Sequence, residues 1–230
     1  MAESLGFNYE LKKFSGIAPI FPLPNVVFLP KTLLPLHIFE PRYQDMTNDV
    51  LNGERIICVT LLKEGWEEDY LGEPPIHKIG TIGYVERHEP KEEGKSNILL
   101  NGLAKVKIQE LPKSNSYRVG QMEIIEDTAE SWQAKKEKVN LMERFRQIAR
   151  LAEEDIPFEE IEQADISLEV LVNLLATWLP IPVTEKQKLL EVDDLVMRSE
   201  IVRQFLRHEV EDLSFLDNLD LNFPDDPRMN

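Results

Sequence analysis

The feature of this sequence that most restricts its fold is a change of hydrophobic period near Ile125. Upstream, apolar residues come in short stretches, several of them alternating with polar residues and all cut apart by proline, glycine and charge. These stretches are 17–21, 34–39, 55–62, 80–87, 97–100, 104–111 and 117–125. Strands of that length and spacing predict a barrel or sandwich. In Lys105-Val106-Lys107-Ile108-Gln109 the alternation is clean, with one face for the core and the other for water. A single helix is expected inside this region, over 41–51. Pro41 suits a first helical position there, and Tyr43, Met46 and Val50 recur at intervals of three and four.

Downstream of Ile125 the period becomes helical. Leu141, Phe145, Ile148 and Ala152 mark one face of a helix from 131 to 153, roughly 30 Å long at 1.5 Å per residue. Leu168, Leu171, Val172, Leu175, Trp178 and Leu179 mark the helix expected to be most buried, stopped by Pro180 and Pro182. Thr184-Glu185-Lys186-Gln187 has the spacing of a capping box. A last helix is expected over 193–215, with Leu195, Val202, Leu206, Val210 and Leu213 facing inward. The chain therefore reads as α+β: a β-rich subdomain over 15–126, a helical subdomain over 127–216, and an acidic tail over 217–230 expected to be poorly ordered.

Composition removes several function classes. With 42% apolar and 30% charged residues the chain can bury a core, and no apolar run reaches the roughly 18 residues of a membrane span. The beginning of the sequence has neither a basic leader nor an apolar segment of the secretory kind, so a cytosolic location is expected. The net charge is -16, with 14 basic and 19 acidic side chains in residues 1–128 and 12 and 23 in residues 129–230. Both parts repel a polyanion, which argues against nucleic acid as a partner. Cys58 is the one cysteine, within Ile56-Ile57-Cys58-Val59, and reads as a small buried hydrophobe. An ATP-binding loop would need glycine five residues before Gly94 of Gly94-Lys95-Ser96, where Glu89 stands, so that segment reads as a charged hairpin loop. There is no Gly-x-Ser-x-Gly.

Three segments carry a resemblance. The first is Ile20-Phe21-Pro22-Leu23-Pro24-Asn25-Val26-Val27-Phe28-Leu29-Pro30 with Leu34-Pro35-Leu36-His37-Ile38-Phe39-Glu40-Pro41-Arg42-Tyr43. The second is Gly80-Thr81-Ile82-Gly83 with Asn101-Gly102-Leu103-Ala104-Lys105-Val106, and the third is Lys186-Gln187-Lys188-Leu189-Leu190-Glu191. Together they resemble the amino-terminal substrate-binding domain of Lon proteases. In the second segment Ala104–Val106 departs from the family's arginine-aromatic pair. The resemblance implies a PUA-like β-barrel followed by a small helical bundle, without catalysis, cofactor or metal of its own. It further implies that the module binds polypeptide substrates or partner proteins, with a separate ATP-dependent protease as a candidate partner. An adaptor or scaffold with one defined folded partner is the alternative.

Weighed one by one, the conspicuous side chains divide into structural and binding candidates. His37, Glu40, Pro41, Arg42 and Tyr43 form a structural motif, in which Glu40 stands at the positive end of a helix dipole with Arg42 as its ion-pair partner. Gln187 and Glu191 belong to the third family segment. His77, His88 and His208 are scattered, so no metal is assigned. Trp66, Tyr70 and Leu71, in an acidic loop rich in turn formers, are the candidate polypeptide contacts, against the reading that they fold back on the barrel. Trp132 and Trp178 are expected to be core.

Overall fold

Among the described residues the short apolar stretches form six strands, β1 (Ile17–Leu23), β2 (Leu33–Ile38), β3 (Ile56–Leu61), β4 (Ile79–Pro90), β5 (Ser96–Glu110) and β6 (Arg118–Ile125). Helix α1 (Pro41–Leu51) lies between β2 and β3, and among the described residues five helices follow the strands: α2 (Trp132–Leu151), α3 (Phe158–Gln163), α4 (Leu168–Trp178), α5 (Val183–Glu191) and α6 (Leu195–Asp220). The structure, a computed structural model, describes residues 11–69, 72–112, 115–126, 132–151 and 158–220, with the backbone alone for 151 and 212–220.

The sheet is mixed and its pairings return on themselves. β5 pairs with β4, β4 with β3, β3 in parallel with β1, β1 with β6, and β6 again with β5. This closure depends on the length of β5, which takes up both stretches expected at 97–100 and 104–111. Its first half pairs with β2 (Leu33↔Asn101 to Ile38↔Ser96) and its second half with β6 (Lys105↔Ile125 to Glu110↔Gly120). A register shift at Ile82/Gly83 interrupts the β4–β5 ladder between those halves, and a second at Val85/Arg87 falls opposite the first half. Such irregularities bend a strand and raise its twist, which is what a closing sheet needs. Among the described residues β2 has a neighbour on one side only and forms an edge.

The described residues form three apolar clusters. α1 turns Tyr43, Met46 and Val50 onto Phe21, Ile57, Val59, Val85 and Leu100. A second cluster joins Ile20, Cys58, Ile82, Val106 and Met122 within the sheet. The helical core contains Leu141, Phe145, Leu171, Leu175, Leu190, Val202 and Leu206, and it also takes in Leu29 from the β1–β2 loop. The side chains of Ala152 and Leu213, both expected in this core, lie outside the described residues.

Several local expectations are corrected. The capping box at Thr184 does not form: α5 starts at Val183 with Pro182 in the cap position, two residues earlier than a Thr184 cap would set it, and the cap makes no side-chain hydrogen bond. Instead Ser167 caps α4, accepting a hydrogen bond from the Val170 amide. The short helix α3 had no distinct signal in the sequence. α6 runs to Asp220, so 217–220 are helical rather than tail, and 221–230 lie outside the described residues. Trp132 and Trp178 are not core, being 75% and 48% exposed. Trp132 begins α2 on its outward side, while Trp178 ends α4 with its ring 6.0 Å from that of Phe145.

Candidate functional site

The three segments singled out in the sequence meet at the junction of sheet and helices. The β1–β2 loop supplies the crosspiece. Lys31 donates its amide to the Gly102 carbonyl at 2.8 Å, and Gly102 donates to the Thr32 carbonyl at 2.9 Å. The Thr81 hydroxyl donates to the Phe28 carbonyl at 2.6 Å and the Thr32 hydroxyl to the Leu29 carbonyl at 2.7 Å. A Cβ at position 102 would sit 2.6 Å from the Leu29 carbonyl oxygen, so this close backbone approach requires glycine. Held in this way, the loop extends Leu29 into the helical core.

From the helical side, Asn173 of α4, fully buried, donates its amide to the Pro30 carbonyl at 2.8 Å. Gln187 of α5 donates to the Ile79 carbonyl at 3.1 Å and to Glu191 at 2.8 Å, and Glu191 in turn meets His77 Nδ1 at 3.1 Å. Lys105 of β5, 3% exposed, donates to the Val192 carbonyl at 3.1 Å and to the Asp193 carboxylate at 2.8 Å. Its hydrogen bond and positive charge hold Asp193 below the usual carboxylate range. The position where this chain departs from the family's arginine-aromatic pair therefore keeps a buried cation, whose partners come from the turn between α5 and α6. Gln187 bonds across the junction to Ile79 and to Glu191, and no sequence signal indicated Asn173, whose significance depends on where α4 docks.

The first segment leads into the start of α1. Pro41 opens α1, and Glu40 makes an ion pair with Arg42 (Nη2 to Oε2, 2.9 Å) without a capping bond to the helix. The Arg42 guanidinium stands 4.8 Å from the centre of the Tyr43 ring. His37 is bonded to Asn97 at 2.8 Å, with its ring stacked 6.0 Å from the exposed ring of Phe39. None of this resembles an acid–base constellation. Burial pushes the Cys58 thiol up, away from thiolate chemistry. Among the described residues no cluster of three or more histidine, cysteine or acidic side chains could hold a metal, and no helix is long and apolar enough to cross a membrane.

Of the three candidate contact residues, Trp66 is half-buried on a short 3-10 turn (Trp66–Asp69) and packs against the cluster containing Leu62 and Ile76. Tyr70 and Leu71 lie outside the described residues. A more open apolar surface lies along the edge strand β2, where Leu33 is exposed. Beside Leu33 a groove of about 270 Å³ is lined by Val26, Phe28, Leu34, Ile181 and Val183, with the Lys186 ammonium at its rim. Partial burial lowers the pKa of Lys186, whose ammonium donates to the Thr177 carbonyl at 2.9 Å.

The comparisons with known proteins agree with this architecture. Lon protease of Anaeromyxobacter dehalogenans is 27% identical over 209 residues, covering 89% of this chain and 25% of that protein. Lon protease 2 of Myxococcus xanthus is 26% identical over 208 residues, with the same coverages. The chain thus spans about a quarter of the length of these curated relatives. The solved N-terminal domain of Mycobacterium avium complex Lon protease superposes with a TM-score of 0.67 at 12% identity, covering 83% of this chain and 98% of that one. A Lon N-terminal domain protein from Xanthomonas campestris superposes with a TM-score of 0.57 at 22% identity, covering 81% and 96%. The family described as the ATP-dependent protease La (LON) substrate-binding domain matches residues 17–208, from the first residue of β1 to well inside α6, and this chain belongs to that family.

Proposed function

We propose that this protein recognises polypeptides through apolar surface on its Lon-type domain, acting without catalysis, metal or cofactor of its own. The observation that carries this reading is the span of the family match: residues 17–208 take in the closed sheet, the junction, α1–α5 and the first part of α6. The ring of strands supports the PUA-like reading of the β-rich part, and the change from strands to helices supports a division at about 126. The free edge of β2, with Leu33 and Phe39 exposed, is the surface best suited to an extended apolar segment, since an edge strand offers unpaired backbone groups beside side-chain pockets. The loop bearing Trp66, Tyr70 and Leu71 is the second contact in this proposal. A cytosolic location and cooperation with a separate ATP-dependent protease, which would process the bound chains, complete it.

The test is binding of a permanently denatured client, such as reduced and carboxymethylated lactalbumin, to the folded protein. Apolar contact should persist in 1 M salt, where a Debye length of about 3 Å leaves little surface electrostatics. Leu33→Asp and Trp66→Ala, each checked for an unchanged circular dichroism spectrum, should each weaken binding by roughly tenfold. If the parent protein binds no denatured client, the adaptor reading replaces this one.

A further inference from the structure

The helical part carries a second surface of different chemistry. α2 contains six basic residues and two acidic ones in a chain of net charge -16, which makes it a basic element in an acidic molecule. Its outward side presents Trp132, 75% exposed, and Val139, 69% exposed, seven residues apart and hence on one face. Lys135 and Lys136 lie between them, both exposed, and the Lys136 ammonium stands 5.9 Å from the centre of the Trp132 ring. Neither lysine enters an ion pair among the described residues.

Beside this face is a groove of about 660 Å³ between α2 and the segment from α3 to the start of α4, with Val139, Met142, Ile161 and Ile166 supplying its apolar lining. Two cross-links set its walls: Lys138 to Asp165 at 2.6 Å, and Arg146 to Glu162. Because 138 precedes 146 whereas 165 follows 162, the chain from the end of α3 to Asp165 runs antiparallel to α2 along this groove. The lining balances Lys135, Lys138 and Arg146 against Glu143, Glu162 and Asp165, with Lys138 on Asp165 and Arg146 shared by the two glutamates; among the described residues the cations outside any ion pair here are Lys135 and Lys136, at the Trp132 end. An exposed tryptophan ranks among the side chains that most often dominate binding energy at interfaces, and a furrow between two helices accepts the apolar ridge of a third.

We infer that the α2–α3 groove docks an acidic amphipathic helix of a partner protein, with its apolar ridge against Val139 and Met142 and its carboxylates against Lys135 and Lys136. The surface is separate from the β2 edge and does not depend on recognition of unfolded chains. Charge decides the occupant: a basic helix would meet Lys135 and Lys136 unfavourably.

The probe is a labelled peptide with leucine at helical spacing and glutamate on its flanks, compared with the same peptide carrying lysine in place of glutamate. In anisotropy titrations at about 0.1 M salt the acidic peptide should bind roughly tenfold or more tightly than the basic one, and the difference should shrink as salt rises. Val139→Glu and the pair Lys135→Glu, Lys136→Glu should each abolish most of the acidic peptide's binding. Because these side chains are exposed, the thermal midpoint should hold, and binding of the denatured client should be unchanged in both variants. Equal binding of the two peptides would overturn the inference, as would variants that bind like the parent. So would sedimentation showing a dimer that Val139→Glu dissociates, since a second copy would then occupy the face.

Discussion

At the scale of the residue, side chains of one type meet different fates according to where their element docks. Trp178 and Phe145 touch, yet Phe145 is 2% exposed whereas Trp178 is half outside. Replacing a buried phenylalanine by alanine costs about 3 to 5 kcal/mol, a large part of the roughly 5 to 15 kcal/mol that holds a domain together. Phe145→Ala should therefore lower the urea midpoint severely. Trp178→Ala keeps most of the core intact and should cost about 1 kcal/mol. Equal losses in the two variants would contradict this assignment of the helical core. The apolar pattern of α4 put Trp178 on the stripe expected to be buried, but α4 ends at this residue, and the ring at the helix end is left half exposed.

At the scale of the element, β5 is joined to the turn between α5 and α6 by the Lys105–Asp193 pair. Asp193 is mostly exposed and Lys105 is buried, so solvent screens the carboxylate while the ammonium depends on it and on the Val192 carbonyl. The folded-state pKa of Asp193 lies below its unfolded value of about 3.9. Its contribution to stability is accordingly full above about pH 4 and disappears as the pH falls through the lower folded-state value. Comparing unfolding of the parent and Asp193→Asn proteins between neutral and acid pH should show a gap that is constant near neutrality and closes on the acid side below about pH 4. A gap that widens with acid would show that Asp193 carries no such linkage.

At the scale of the whole molecule, the sheet and the helical bundle share one junction, built from Leu29, Asn173, Gln187 and Lys105. Asn173→Ala removes the donor to a buried Pro30 carbonyl, which costs about 1 to 3 kcal/mol when a buried acceptor is left without a partner. Because that bond spans the two parts, the loss should also appear as weaker coupling. Hydrogen exchange in α4 and α6 should accelerate more than exchange in β3 and β4. Uniform acceleration throughout would mean that the junction does not couple the parts through Asn173.

Much of this was written locally in the sequence. Alternation of period two, proline at the start of α1 and the helical stripe of α2 act within a few residues, and the elements formed where those signals stand. The bounds of α1 are those expected from Pro41, Tyr43, Met46 and Val50. The three family segments were also legible, because close backbone approach at Gly102 and the ion pair of Glu40 with Arg42 demand particular residues. What the sequence did not disclose depends on chain parts brought together from far apart. The capping spacing at Thr184 was outweighed once Gln187 was drawn to the Ile79 carbonyl across the junction. The two stretches of β5 became one strand because β2, β4 and β6 all pair with it. Local periodicity selects which face of an element is apolar; which apolar faces are finally covered, and which remain open as at Leu33 and Trp132, is decided by packing between elements remote in the chain.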